Sequence, residues 1–78
     1  MLQKKSTLVV TFDATVQAMA AEKYCLANGV PGRLIPVPRE ITAGCGLAWK
    51  AEVGQEEAVT AALQEAGIAY SGVHRVVI

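Results

Sequence analysis

The stretch TLVVTFDATVQAMAAEKYCLANGVPG, residues 7–32, contains the sequence signals of a strand, a helix and a turn, in that order. Its first six residues, Thr7–Phe12, are apolar or β-branched and predict a strand. Asp13 follows and is expected to cap a helix over Ala14–Ala27, a segment rich in good helix formers. Gly29 is expected to end that helix, because glycine accepts the left-handed conformation that a helix terminus often requires. The chain therefore begins with a β-α unit.

The remaining residues continue this alternation of strands and helices. Pro36 and Pro38 lie in and just after the second strand, and proline cannot donate to a β-ladder, so this strand is expected at an edge of the sheet. In the third strand apolar and polar residues alternate, with Trp49 on the apolar face. The elements expected after the first helix are a strand at 32–37, a loop at 38–46, a strand at 47–53, a helix at 55–66 and a strand at 69–78.

The β-α-β-β-α-β order predicts an α+β fold, the ferredoxin-like sandwich, formed by one domain over residues 1–78. Its four-stranded antiparallel sheet has the strand order 4-1-3-2, which again places the second strand at an edge. Both helices are expected on one face of this sheet. The other face is then open to solvent or to a partner, and it offers a surface for a homodimer.

Composition narrows the class of protein. Hydrophobic residues make up 53% of the chain and charged residues 18%, which favours a packed globular domain over disorder. Seven basic and seven acidic residues give a formal net charge of zero, so the basic excess typical of nucleic-acid binders is missing. No apolar run is long enough for a membrane span, and the polar N-terminus does not resemble a signal peptide. These features predict a soluble cytoplasmic protein.

Cys45 is the best candidate for a reactive residue. Gly44 and Gly46 flank it, and the N–H groups of a glycine-rich loop can form a concavity that stabilises an anion such as a thiolate. Arg39 and Lys50 add positive charge if the loop folds back. The alternative is a simple turn in which Cys45 is a small apolar residue that fills space. The residues alone favour neither interpretation over the other.

Other residues with chemical potential have simpler structural explanations. Cys25 recurs at near-helical spacing with alanines of the first helix and is expected to face the sheet, although a role as resolving thiol for Cys45 stays open. His74 is expected to be a surface or packing residue, and Trp49 to pack in the core or to floor a pocket beside Cys45. Two cysteines and one histidine are too few ligands for a structural zinc site. We expect no metal and no cofactor.

Residues 32–48, GRLIPVPREITAGCGLA, resemble the signature of a family of small proteins described as selenium/sulfur carrier-like. The resemblance extends over nearly the whole chain and includes the β-α-β-β-α-β order. It implies that Cys45 is the atom-carrying residue and that Arg39 and Gly44 belong to its loop. It also implies partners among the donor and acceptor proteins of sulfur or selenium metabolism.

The sequence leaves three functions open. The first is a chalcogen carrier that holds sulfur or selenium on Cys45. The second is a non-catalytic interaction or small-ligand-binding module, which is suggested by fold analogy alone. The third, a nucleic-acid binder, is the least favoured because the net charge is zero. The chain has one nucleophile, no positioned base and none of the common catalytic motifs, so a carrier or accessory protein fits better than a complete enzyme.

Overall fold

The computed structural model describes residues 5–41 and 45–77. Its longest helix has 13 residues, and within the described ranges no helix is both long and apolar enough to cross a bilayer. In chain order the elements are β1 (Ser6–Thr11), α1 (Thr15–Ala27), β2 (Arg33–Pro36), β3 (Leu47–Glu52), a short 3-10 turn (Val53–Gln55), α2 (Glu56–Glu65) and β4 (Gly72–Val77).

The four strands form one antiparallel sheet in the order β2-β3-β1-β4. The sheet and the two helices confirm the predicted α+β class. The strand β2 lies at an edge, as Pro36 predicts, because an edge strand has one side on which no ladder hydrogen bond is needed. The most apolar strand, β1, is central and pairs with both β3 and β4.

The helices pack against one face of the sheet. Side chains from α1, α2 and alternate positions of the central strands form a single cluster there, which we call the helix-side core. Trp49 and Phe12 are its largest members, and both are fully buried. The remaining buried members are Leu8, Val10, Ala18, Ala21, Cys25, Ala51, Val59 and Leu63. The predicted alternation in the third strand and the inward position of Cys25 are therefore confirmed.

The opposite face of the sheet is not simply open, which corrects the expectation from the sequence. Ile41, in the segment between β2 and β3, is only 8% exposed and packs on Val9 and Ala48. Ile35 and Val76 border this smaller cluster, which we call the loop-side cluster. Because Val37 and Ile41 of the connecting segment pack on this face, the surface on which a homodimer was expected is in part covered by the chain itself.

The start of α1 also differs from the prediction. The residue at the N-cap is Ala14 and not Asp13, and no side chain caps the free N–H groups of the first turn. Gln17 instead accepts a hydrogen bond from the backbone N–H of Ala14, at 3.3 Å through its Oε1 atom. At the other end of the helix Gly29 has φ +67°, so the predicted glycine terminus is confirmed.

Candidate functional site

Cys45 lies beside the end of the central strand. Its backbone N–H donates a hydrogen bond of 3.0 Å to the carbonyl of Phe12, the residue that follows β1. Because Phe12 is two residues before the N-cap Ala14, this bond holds Cys45 next to the turn that leads into α1. The sequence contains no signal for this partner, since a single backbone bond between distant segments leaves no periodic pattern.

Gly46 sets the direction in which the chain leaves Cys45. Its φ of +91° lies in a region that other residues rarely adopt, so a side chain at this position would be strained. Its carbonyl accepts a hydrogen bond of 2.9 Å from the N–H of Val37, and β3 begins at the next residue. Gly46 therefore closes the loop onto the sheet directly after the cysteine. Gly44, on the other side of Cys45, is outside the described residues.

The thiol of Cys45 lies at the border between the core and solvent. The residue is half-buried and packs against the helix-side core, together with Leu47 two positions further on. Its Sγ is 3.9 Å from the carbonyl oxygen of Leu47, which allows only a weak S–H···O contact. Cys45 is thus neither enclosed in the core, as Cys25 is, nor fully exposed.

The positive charges that were expected near Cys45 are arranged differently. Arg39 is exposed, at the tip of a turn closed by a 2.9 Å hydrogen bond from the N–H of Ile41 to the carbonyl of Pro38. Lys50 projects from the opposite face of the sheet, since it is paired with Val9 of the loop-side cluster. Lys50 is thus excluded as a direct partner of the thiol.

The anion-binding concavity expected around Cys45 falls in part on residues 42–44, which are outside the described residues. The N–H of Cys45 itself is used in the bond to Phe12, so it is not available to a bound anion. The assignment of Cys45, Arg39, Gly44 and Gly46 as functional residues stays a prediction.

The second cysteine, Cys25, is in a different environment. It is fully buried in α1, and this burial raises the pKa of its thiol. Both cysteines are free thiols. A thiol that is inaccessible and held in its neutral form is a poor nucleophile, so the structure gives Cys25 a packing role and offers no support for a resolving thiol.

Trp49 and His74 have structural partners. The indole of Trp49 is fully buried in the helix-side core, and its Nε1 donates a 3.0 Å hydrogen bond to the carbonyl of Pro31. His74 is half-buried, with its Nε2 3.5 Å from the hydroxyl of Thr11 on the neighbouring strand. Trp49 is therefore a core residue. Within residues 5–41 and 45–77, no group of three His, Cys, Asp or Glu side chains is arranged to hold a metal.

The structure thus defines a small α+β domain that has a half-buried free thiol on the loop before its third strand. The family model described as putative Se/S carrier protein-like matches residues 7–75, and the chain belongs to this family. Searches of the curated proteins and of the solved structures found no match to the chain.

Proposed function

We propose that this protein carries a sulfur or selenium atom on Cys45 and passes it between a donor and an acceptor protein. The observation that carries the proposal is the position of Cys45 in a member of the Se/S carrier-like family: its thiol is free, half-buried and fixed at the end of β1. Cys25, the other thiol, is enclosed in the core. Of the two thiols, Cys45 is therefore the one that is not fully buried.

Sulfur transfer takes two exchange steps. The thiolate of Cys45 attacks the outer sulfur of a donor persulfide, R–S–SH, and a new S–S bond forms as the S–S bond of the donor breaks. The donor leaves as the thiolate R–S⁻, and Cys45 becomes a persulfide. An acceptor thiolate then attacks the outer sulfur, and Cys45 leaves as a thiolate. Each exchange conserves atoms and electrons, so no external oxidant or cofactor is needed.

The test is the intact mass of the reduced protein after incubation with a small-molecule persulfide. The wild type and Cys25→Ser should each gain one sulfur atom, and Cys45→Ser should gain none. Cys25→Ser is the matched control because it removes the only other thiol. If Cys45→Ser gains sulfur to the same extent as the wild type, Cys45 is not the carrier. The same three proteins with a selenium donor then report which element is preferred.

The architecture itself belongs to the ferredoxin-like class in our interpretation. The strand order β2-β3-β1-β4 reads 4-1-3-2 from the other edge, and one helix follows β1 and the other follows β3. Domains of this class are also used as interaction modules, by analogy alone.

A non-catalytic interaction module is the second candidate function. Three large apolar side chains of α1, Val16, Met19 and Leu26, are more than half exposed, which favours contact with another molecule. In this case Cys45→Ser leaves partner binding and oligomeric state unchanged in a sedimentation experiment. Under the carrier proposal the same variant loses sulfur loading.

A further inference from the structure

A groove of about 520 Å³ lies at the end of the sheet where β1 begins and β3 ends. We call it the basic groove, because Lys5, Arg33 and Lys50 line it and Glu52 is the single carboxylate among the lining residues. The other lining residues are Ser6, Thr7, Pro31, Gly32, Ala51 and Gln55. Cys45 is at the other end of β1, about 17 Å away along the strand, because it is bonded to Phe12. The groove is therefore separate from the candidate thiol site.

The groove concentrates positive charge in a way that costs stability. Arg33 and Lys50 occupy directly paired positions on β2 and β3, so their side chains leave the same face of the sheet close together. Like charges at paired positions repel each other. In the described parts of the chain the one ion pair is between Arg75 and Glu56, so neither cation is within 4 Å of a carboxylate there. Because the chain has seven acidic and seven basic residues, a shortage of carboxylates does not explain why Arg33 and Lys50 lie side by side.

One wall of the groove is rigid. The carbonyl of Pro31 accepts the indole hydrogen bond of Trp49, and Gly32 has φ +121°. A Cβ atom on Gly32 would collide with the carbonyl oxygen of Lys50 and lie 2.5 Å from Nε1 of Trp49. The backbone before Arg33 is thus locked against β3 before any ligand arrives, which lowers the ordering cost of binding.

We propose that the basic groove binds a phosphate-type oxyanion, free or at the end of a small phosphate ester. The guanidinium of Arg33 offers paired N–H donors that match a tetrahedral oxyanion, and the ammonium groups of Lys50 and Lys5 add charge. The hydroxyl of Ser6 is a further donor in the same groove. The volume lies within the roughly 300–1,000 Å³ range of small-molecule sites, which leaves room for an organic group beside the anion.

The experiment follows the melting temperature of the full chain against increasing inorganic phosphate or phenyl phosphate. Sodium chloride at equal ionic strength is the reference. Both anions should raise the melting temperature saturably, and chloride should not. A free phosphate site responds equally to the two anions, whereas a site for an ester binds phenyl phosphate more tightly. Arg33→Gln and Lys50→Gln should each weaken binding by about tenfold, the loss expected for one charge-assisted hydrogen bond.

Three control variants make this result specific. Lys23→Gln removes an exposed cation of α1 outside the groove and should keep the full response. Glu52→Gln removes the carboxylate of the groove and should bind the anions more tightly. Cys45→Ser should respond like the wild type, so a failure of the carrier proposal and a failure of this one are distinguishable.

Misfolding of the variants is checked in the same measurement. Since Arg33→Gln and Lys50→Gln relieve repulsion, they should melt at or above the wild-type temperature in chloride alone. The proposal is wrong if chloride raises the melting temperature as much as phosphate does. It is also wrong if phosphate raises the melting temperatures of Arg33→Gln and Lys50→Gln as much as that of the wild type.

Discussion

Gly32 is held between the backbone of β3 and the indole of Trp49, and it has no room for a side chain. Its φ of +121° is itself unfavourable for any other residue. Gly32→Ala should therefore lower the free energy of unfolding by about 2–4 kcal/mol, as strain and overpacking add. Urea denaturation measures this loss.

Gly29 is the matched control for the Gly32 prediction. It also has a positive φ, +67°, but no atom lies within 4 Å of a Cβ built on it. Gly29→Ala should therefore lower the free energy of unfolding by only about 1 kcal/mol, the cost of the left-handed backbone conformation alone. Equal losses for the two alanine variants would show that the contacts with Trp49 and Lys50 do not constrain Gly32.

Cys25 should make the stability of the protein depend on alkaline pH. Burial raises the pKa of its thiol above the ordinary value of 9.0. Below that value both the folded and the unfolded chain keep the proton, so pH has no effect through this group. As the pH rises above 9.0 the unfolded chain releases the proton first, and the free energy of unfolding falls until the folded-state pKa is passed.

Urea unfolding at a series of pH values tests this dependence on Cys25. Cys25→Ala should be less stable than the wild type throughout, because it leaves a small cavity, but it should show a shallower alkaline decline. An unchanged decline in Cys25→Ala would mean that other groups are responsible for it.

Helix α1 begins at an alanine that cannot cap it. The N-cap residue Ala14 has extended backbone angles, φ −133° and ψ 145°, which suit a capping serine. Ala14→Ser should therefore raise the free energy of unfolding by about 0.5–1 kcal/mol. Ala20→Ser, at an exposed position inside the same helix, should lower it by about 0.5 kcal/mol. Thermal melts that give both variants the same sign would contradict the capping argument.

The elements with strong local signals could be predicted from the sequence. The alternation around Trp49 and the glycine at the end of α1 correspond closely to the observed β3 and helix terminus. Asp13 failed as a cap because the helix starts one residue later than expected, so the N-cap falls on Ala14. Local composition identifies a helix end but does not fix it to a single residue.

The candidate site was only in part predictable, since its surroundings depend on long-range pairing. The alternation in β3 already separates Lys50 from the face that Trp49 and Leu47 share, so the absence of Lys50 from the surroundings of Cys45 could have been predicted. The bond from Cys45 to Phe12 could not, and neither could the pairing of Arg33 with Lys50. Both depend on which distant segments of the chain lie side by side, and such long-range pairing leaves no local pattern in a single sequence.

At the scale of the whole molecule, the two faces of the sheet are covered in different ways. Two helices bury one face, whereas Val37 and Ile41, from the connection between β2 and β3, pack on the other, and of these two only Ile41 is buried. Ile41 is therefore the main apolar contact between that connection and the sheet. Cys45 belongs to the same connection, which ends one residue later at Gly46.

Ile41→Ala should consequently affect both stability and association. The variant loses contacts with Val9 and Ala48, and the free energy of unfolding should fall by about 2 kcal/mol, the low end for a buried isoleucine. Removing the cover also exposes apolar surface on the sheet, so sedimentation should show more self-association than in the wild type. Val77→Ala, which truncates a side chain that is 55% exposed, is the control and should change stability by less than about 0.5 kcal/mol. If Ile41→Ala is as mild as this control, the connection does not depend on Ile41 for its attachment to the sheet.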